Sequence, residues 1–372
     1  MAIYKELVKK VSILSDKKTK QKEYLSKGCL PIVDQGQGLI GGYSNDINKK
    51  LDCNLPVIVF GDHTRAVKYI DFSFVPGADG IKVLEPKAGI LPKYLYYATQ
   101  YLVLRLEDKG YARHYQYIEK KEINIPSISE QERIVTRIEE LFSELDSGVQ
   151  TLQKVKEQLK VYRQAVLKEA FRNFNKKEKI RNISSVVTSG SRGWAKYYSD
   201  IGARFIRITD LTRDKIILKN DSIQRVNLPE NVEGRRSKLM ENDVLVSITA
   251  DLGSIALIPK GIEEAYINQH IAMIRFHNQI QGEFMAWYLK SDYGQKDLLK
   301  NKRGGGKLGL GLDDIRDTPI PIVTDEMAIS VVNKIDSKMS VCDSIEQTVE
   351  IALHQADALK QSILKRAFEG GL

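Results

Sequence analysis

The feature that most constrains this chain of 372 residues is a long internal repeat. The segment from Pro126 to Phe171 returns as Pro321 to Phe368, about 197 residues later. The identical pairs are Ile138 and Ile335, Asp146 and Asp343, Thr151 and Thr348, Leu167 and Leu364, Ala170 and Ala367, and Phe171 and Phe368. Arg163 and Lys360 also share a charge. A repeat of this size predicts two globular segments, each followed by a long segment, with approximate twofold symmetry.

Both copies of the repeat have the apolar period of a helix. In the first copy the apolar positions are Ile138, Leu141, Leu145, Leu152, Val155, Leu159, Tyr162 and Val166. In the second copy they are Ile335, Met339, Cys342, Ile345, Val349, Ala352, Ala356, Leu359 and Ile363. Ser129 and Thr324, each followed by acidic residues, are the expected caps. Because a single helix of about 45 residues cannot bury such a stripe, we expect the two helices to pair as an antiparallel coiled coil.

Length and composition exclude several classes of protein. No apolar run reaches the ~18 residues that span a bilayer, and the N-terminus lacks a signal-peptide core, so we expect a soluble, cytoplasmic protein. The three cysteines, Cys29, Cys53 and Cys342, lack the spacing of a zinc site or a disulfide framework. We therefore expect neither a metal nor a cofactor.

The net charge of +9 is unevenly distributed. Residues 1–125 carry +6 and residues 176–323 carry +6, whereas residues 126–175 carry 0 and residues 324–372 carry −3. The whole positive excess therefore lies in the two globular segments. This partition favours two domains that bind a polyanion.

The globular segments also resemble each other. The first contains expected strands at Leu55–Phe60 and Ile81–Leu84 and an expected helix at Pro92–Leu106. The second repeats this order with Val244–Thr249, Ile271–Phe276 and Glu283–Leu299. The predicted fold class is α+β, with two globular mixed α/β domains separated by two long antiparallel helices. The predicted parts are 1–125, 126–175, 176–323 and 324–372.

Two segments carry a resemblance to a known family. Ile128 to Phe171 has the sequence ISEQERIVTRIEELFSELDSGVQTLQKVKEQLKVYRQAVLKEAF, and its second copy ends in SILKRAFEGGL. Both resemble the conserved regions of Type I restriction-modification specificity (S) subunits. Val57 to Gly80, VIVFGDHTRAVKYIDFSFVPGADG, resembles one class of target recognition domain in that family. The second copy departs from the first in having Asp325 and Glu326 where the first has the pair Glu130 and Gln131.

The resemblance implies both a function and a set of partners. Each target recognition domain would read one half of a bipartite, asymmetric DNA site. The helices would hold the two domains apart and bind two methyltransferase subunits, and restriction subunits would join the full complex. Glu130, Gln131, Arg133 and Arg137, at the start of the first helix, are the candidate partner contacts.

Candidate DNA contacts in the first domain fall in two groups. His63, Thr64 and Arg65 follow a buried strand, and Lys68 lies just beyond them; arginine forks onto guanine, and hydroxyl or imidazole groups bind bases or phosphates. The second group interleaves basic, amide and aromatic side chains, as nucleic-acid surfaces do. It consists of Arg113, His114, Tyr115, Gln116 and Tyr117. The alternatives are a simple turn for the first group and core aromatics for the second.

Candidates in the second domain are Arg192, Lys196 and Arg207, with Asn268 and Gln269 just before a strand. An amide side chain can bind adenine through two hydrogen bonds, although Asn268 could equally cap a turn. Lys302, Arg303 and Lys307 flank three glycines in a segment suited to phosphate contact or to a plain solvated loop.

The sequence contains no convincing catalytic motif. Gly36, Gly38 and Gly41 match a dinucleotide-binding spacing, but the Asn- and Pro-rich sequence that follows cannot form the helix that such a site requires. The five histidines lack the spacing of metal ligands. We therefore expect a DNA-recognition subunit without enzymatic activity; the alternatives are a protein-interaction scaffold and a self-contained methyltransferase or nuclease.

Overall fold

The computed structural model describes residues 1–78, 80–107, 110, 112–230, 234–300, 302 and 309–371. These residues form two compact units. Unit 1 comprises Met1–Leu152 and Glu350–Leu372, and unit 2 comprises Gln153–Val349. Each unit thus contains one globular segment and part of both long helices. The division into four parts that the sequence suggests stays a prediction.

Unit 1 begins with nine short strands and three helices. The strands are β1 (Ala2–Ile3), β2 (Val8–Val11), β3 (Leu30–Val33), β4 (Gly42–Ser44), β5 (Val57–Gly61), β6 (Val67–Ile70), β7 (Val75–Pro76), β8 (Ile81–Pro86) and β9 (Glu122–Ile123) among the described residues. The helices are α1 (Pro92–Leu104), α2 (Tyr115–Ile118) and the long α3 (Ile128–Phe171), which continues into unit 2. Helix α1 has proline in its first turn, where the missing N–H costs nothing.

The main sheet of unit 1 is antiparallel and has the order β2-β8-β5-β6. A second sheet has the order β4-β3-β7, in which β3 and β7 are parallel, and β1 pairs with β9. Strand β5 is buried along its whole length. Its alternate residues Ile58 and Phe60 pack in the core that contains α1, whereas Val57 and Val59 pack in a second core on the other face.

Unit 2 contains ten strands and, besides its share of α3, five helices within its described residues. The strands are β10 (Lys177–Lys179), β11 (Ser184–Ser189), β12 (Tyr198–Ser199), β13 (Ala203–Ile206), β14 (Arg225–Val226), β15 (Val244–Ser247), β16 (Ile255–Leu257), β17 (Ala265–Ile267), β18 (Ile271–Phe276) and β19 (Pro319–Pro321). The helices are α4 (Ile180–Ile183), α5 (Gly282–Lys290), α6 (Asp292–Leu298), α7 (Leu312–Arg316) and α8 (Asp325–Glu369). The single helix expected over Glu283–Leu299 is wrong, because Ser291 ends α5 and caps α6.

The main sheet of unit 2 has the order β11-β18-β15-β16 and is also antiparallel. Strands β14, β13 and β17 form a second sheet, with β13 and β17 parallel and β12 added at its edge, and β10 pairs with β19. The strand order of unit 1 therefore recurs, sheet for sheet, in unit 2. The predicted α+β class is confirmed.

The two long helices begin at equivalent positions of the repeat. Ser127 Oγ accepts a hydrogen bond from the backbone N–H of Glu130, and Thr324 Oγ1 accepts one from that of Met327, each at 3.4 Å. Ser129 as the first cap is therefore wrong; the cap lies two residues earlier, 197 positions before Thr324. With the caps aligned, the counterpart of Gln131 is Ala328 rather than Glu326.

Within each unit, the segments of α3 and α8 run in opposite directions. In unit 1, Ile138 packs with Ile363 and Leu364, while Asp146, further along α3, pairs with Lys360, earlier in α8. In unit 2, Val166 and Leu167 pack with Val332 and Ile335, while Arg163 pairs with Asp343. Both pairings are therefore antiparallel.

The buried seam of the helices is narrower than the apolar period suggests. Tyr162, Ile345 and Leu359 are 48%, 40% and 48% exposed, so their predicted burial is wrong. Arg163 is buried instead, with only 5% of its side chain exposed. Its guanidinium bonds Asp343 at 2.7 Å and Glu346 at 3.1 Å, and its Nη1 lies 3.8 Å from the sulfur of Met339. Among the described residues, no helix has the length and apolar character to cross a bilayer.

Candidate nucleic-acid interface

The main sheet of unit 1 carries a cleft at one end, about 350 Å³ in volume, which we call cleft 1. It lies where β2 ends and β8 begins, next to the turn that follows β5. Its lining residues are Lys10, Val11, Ser12, Ile13, Lys18, Asp62, His63, Ala78, Gly80, Ile81, Lys82 and Arg113. Two of the predicted DNA contacts, His63 and Arg113, therefore line the same cleft.

Cleft 1 is strongly basic. Its lining carries four cationic side chains, those of Lys10, Lys18, Lys82 and Arg113, and one buried carboxylate, that of Asp62. Lys82 Nζ lies 3.4 Å from Asp62 Oδ2, and the backbone N–H of Tyr115 donates to Asp62 Oδ1 at 2.9 Å. Asp62 is therefore satisfied within the protein, and the remaining cations give the cleft the charge that attracts phosphate.

The turn after β5 places the predicted contacts His63, Thr64 and Arg65 in three different environments. A Cβ at Gly61 would lie 2.3 Å from Thr64 Oγ1, so only glycine fits there. Thr64 Oγ1 donates to the backbone carbonyl of Gln35, and Arg65 occupies a left-handed conformation with φ of 61°. The turn thus presents His63 to cleft 1, uses the Thr64 hydroxyl internally, and places Arg65 outside the lining.

Three other predicted contacts are buried. Lys68 is 4% exposed and donates to the Asp34 carbonyl at 2.7 Å, and burial lowers its pKa. His114 Nδ1 lies 3.0 Å from the Asp62 carbonyl oxygen. Tyr115 packs against Phe60, and burial raises its pKa to about 12. None of the three lines cleft 1, although His114 and Tyr115 bond its lining residue Asp62. Gln116 is exposed and Tyr117 half-buried, but neither lines the cleft.

Unit 2 carries cleft 2, about 610 Å³ in volume, at the same end of its main sheet. The cleft lies where β11 ends and just before β18, which hold the places of β2 and β8 in the strand order. Its lining residues are Ser189, Gly190, Ser191, Arg192, Gly193, Trp194, Lys196, Tyr197, Arg236 and Gln269. The predicted contacts Arg192, Lys196 and Gln269 are therefore brought together.

The floor of cleft 2 is aromatic and its rim basic. Trp194 is buried against Phe205 and Tyr266, with ring centroids 5.6 and 5.4 Å away. A Cβ at Gly190 would lie 1.8 Å from the Ile267 carbonyl oxygen, so glycine is required for the close approach of these backbones. Arg192 and Lys196 are exposed.

The remaining predicted contacts in unit 2 lie outside cleft 2. Asn268 is buried, and its Oδ1 accepts from the backbone N–H of His270 at 3.1 Å, so it caps the turn before β18. Arg207 donates to the Ser222 carbonyl at 3.2 Å and lies 3.5 Å from Asp210. Lys302 is exposed. Arg303 and Lys307 lie outside the described residues.

Of the four predicted partner contacts at the start of α3, three lie on its outer face and one is buried. Arg133 forms two hydrogen bonds of 2.8 Å with Glu130, and Arg137 pairs with Glu140 at 3.1 Å, all on the outer face. Gln131 is buried. Its amide donates to the carbonyls of Gly89 and Pro126 at 3.0 Å, and its Oε1 accepts from the Leu91 N–H at 2.9 Å.

Replacing Gln131 with Ala should lower the free energy of unfolding by about 2–4 kcal/mol, because three part-buried hydrogen bonds are lost at about 0.5–1.5 kcal/mol each. The neighbouring exposed change Glu132→Ala is the control and should stay within about 0.5 kcal/mol. Urea unfolding followed by circular dichroism measures both. Equal midpoints for the two variants would contradict the structural role of Gln131.

Sequence reasoning missed four cations that line the clefts. Lys10, Lys18 and Lys82 in cleft 1 and Arg236 in cleft 2 belong to no motif. Arg236 is additionally held by a 3.2 Å hydrogen bond from its Nε to Thr188 Oγ1. The only signal in the sequence was the positive excess of each globular segment.

The fold and the paired clefts define a two-domain binding protein, and comparison with known families identifies it. The family model described as Type I restriction modification DNA specificity domain matches residues 5–157 and again residues 174–350. The chain therefore belongs to this family. Each match covers one globular segment together with part of a long helix.

Curated relatives agree with this assignment. The chain is 25% identical over 278 residues to the Type I restriction enzyme EcoBI specificity subunit of Escherichia coli, a match of 67% of this chain and 58% of that protein. It is 23% identical over 360 residues to the EcoR124I/EcoR124II specificity subunit of Escherichia coli, covering 90% and 87%. The chain thus matches little more than half the length of the first relative.

Solved structures agree in fold. A chain from a study of complex assembly and conformational transition of the type I R-M system has a TM-score of 0.71 at 15% identity, with 100% of this chain and 97% of that chain covered. The HsdS subunit from Thermoanaerobacter tengcongensis has a TM-score of 0.51 at 14% identity, with 100% and 96% covered. At these identities the likeness concerns the fold.

Proposed function

We propose that the chain is the DNA sequence-specificity subunit of a Type I restriction-modification complex. Each globular segment binds one half of a bipartite DNA site through its cleft. The observation that carries this proposal is the presence of two basic clefts at the same end of two main sheets with the same strand order. Family membership supports DNA as the ligand, and the basic lining of the clefts supports them as the binding surfaces.

The two clefts differ in the groups they offer, and this supports an asymmetric site. Cleft 1 presents His63 beside three lysines and Arg113. Cleft 2 presents Gln269 and Arg192 above the buried ring of Trp194. Equivalent clefts with different side chains contact the same kind of surface, the phosphate backbone, and select different bases.

The long helices are proposed to form an antiparallel coiled coil with a pseudo-twofold axis. Asp146 and Asp343 are equivalent in the repeat, as are Arg163 and Lys360. The ion pairs are Asp146 with Lys360 in unit 1 and Asp343 with Arg163 in unit 2. Exchanging the two copies of the repeat converts one ion pair into the other. Contacts across a twofold axis have this pattern.

The coiled coil is proposed to have two roles. As a spacer, it fixes the number of unread base pairs between the half-sites, because two readers match successive major grooves only at spacings near a helical turn of about 34 Å. As a docking surface, it binds two methyltransferase subunits, with Glu130, Arg133 and Arg137 on its outer face as candidate contacts. Restriction subunits then join this core, and the partner subunits supply all of the chemistry.

A gel shift with the isolated chain and with added methyltransferase subunits tests the proposal. We expect specific retardation of a duplex that carries both half-sites, strongest with the partner present, and loss of specificity when either half-site is scrambled. Retention of the partner with no retardation of any duplex would indicate an interaction scaffold. Methyl transfer by the isolated chain would indicate an enzyme. Either result would overturn the proposal.

A further inference from the structure

A series of three hydrogen-bonded side chains ends in cleft 2. Thr249 Oγ1 lies 2.8 Å from His270 Nδ1, and His270 Nε2 lies 2.9 Å from Gln269 Nε2. Thr249 follows β15, and the other two residues precede β18, its neighbour in the main sheet. The series therefore rests on the two central strands, and only its last member, Gln269, lines the cleft.

The direction of these hydrogen bonds follows from the groups involved. An amide nitrogen can only donate, so Gln269 Nε2 donates and His270 Nε2 accepts. The imidazole proton then lies on Nδ1 and is donated to Thr249 Oγ1. Within the part of the chain that the structure describes, Gln269 Oε1 and the second amide hydrogen form no other hydrogen bond. The amide thus offers one acceptor and one donor in a fixed orientation.

We propose that Gln269 is a base-reading residue that selects adenine in the half-site bound by unit 2, with Thr249 as a positioning residue acting through His270. This inference rests on the proposed function. An acceptor beside a donor in one amide plane matches the major-groove edge of adenine, where N6–H donates and N7 accepts. The hydrogen-bonded series fixes the amide plane before DNA binds, so less side-chain entropy is lost on binding.

The other polar groups of cleft 2 suit a different task. Arg192 and Lys196 are exposed cations, and Arg236 is tethered to Thr188, so their charges suit phosphate groups on either side of a base. The neighbouring amide, Asn268, is occupied by its turn. Among the described residues that line cleft 2, Gln269 is the only one with an amide side chain.

Selection of bound duplexes from a randomised library, using the complex with its methyltransferase subunits, tests the inference. Wild type should select a bipartite site with an invariant adenine in the second half. Gln269→Ala should make that one position degenerate, with a loss of discrimination of roughly 5- to 150-fold, from about 1–3 kcal/mol per bidentate pair. Gln269→Glu should shift the position toward cytosine, whose N4 amino group donates to a carboxylate.

Variants of Thr249 separate positioning from folding. Thr249→Val keeps the shape but loses the hydroxyl, and should weaken the adenine preference; Thr249→Ser should restore it. His63→Ala is the matched control in cleft 1 and should leave the second half-site unchanged. An unchanged second half-site in Gln269→Ala, or a G·C pair at the altered position, would overturn the inference while leaving the proposed function intact. Absence of any bipartite site in wild type would instead remove the proposed function.

Discussion

Replacing Asp343 with Asn and Glu346 with Gln in one variant lowers the free energy of unfolding by about 3–5 kcal/mol, the cost of leaving a buried charge without its partners. The buried Arg163 bonds both carboxylates, at 2.7 and 3.1 Å. Lys215, from the globular segment of unit 2, bonds the same two groups at 3.0 and 3.4 Å. The double variant therefore leaves two cations unpaired, one of them buried.

The single variant Asp343→Asn keeps Glu346, so its free energy of unfolding should fall much less. The matched control in unit 1 is Asp146→Asn, at the equivalent position, where both side chains of the ion pair are substantially exposed; it should cost no more than about 1 kcal/mol. Urea unfolding followed by circular dichroism measures all three. Equal losses for the double variant and for Asp146→Asn would show that the buried cluster contributes no more than a surface ion pair.

The cluster also makes stability depend on pH. Burial alone would raise the pKa of Asp343, but hydrogen bonds and charge from Arg163 and Lys215 outweigh it and hold that pKa below its ordinary value of 3.8. A carboxyl group with a lowered pKa stabilises the fold fully above its ordinary value, and this contribution is lost as pH falls through the lowered value. The difference in stability between wild type and Asp343→Asn should therefore be full above pH 3.8 and shrink as pH falls through the lowered pKa.

Replacing Lys10, Lys18 and Arg113 together with Gln weakens DNA binding on the order of 10- to 100-fold at low salt. Each phosphate contact contributes about −0.9 to the slope of log K against log salt, so the slope becomes less steep by up to about 2.7. The loss is uniform across DNA sequences, because phosphate contacts carry no base information. Lys82 is left in place, because it neutralises the buried Asp62.

Fluorescence anisotropy at several salt concentrations measures this slope. The control variant replaces Lys5, Lys120 and Lys121 with Gln; these exposed lysines of unit 1 do not line cleft 1. It changes the net charge equally and should leave the slope nearly unchanged. Equal slopes in the two variants would mean that binding depends on overall charge and not on cleft 1.

The long helices were predictable because apolar period is a local property of sequence. Their caps were harder to predict. Ser127 and Ser129 both satisfy the pattern of a cap, and only the backbone geometry selects Ser127. The burial of Arg163 could not be predicted, because it depends on two acids about 180 residues away. The apolar period of one helix, taken alone, places Arg163 on the exposed face.

The candidate site was predictable in part for the same reason. His63, Arg113, Arg192, Lys196 and Gln269 belong to local motifs and do line the clefts. The lysines of cleft 1 come from separate parts of the chain, and only the placement of β2 beside β8 brings Lys10 and Lys82 to one surface. Interleaved aromatic and basic residues, as at His114 and Tyr115, fit a core as well as a binding surface, and here they are buried.

Unit 1 is built from two chain segments that are far apart in sequence, and this affects when its core can form during synthesis. Phe368 stacks on Tyr101 and contacts Tyr94, both in helix α1, and Ile363 and Leu364 complete the cluster around Ile138. A nascent chain that has emerged only through unit 2 still lacks this layer of its first core. The core of unit 1 is therefore complete only once the end of α8 has been synthesised.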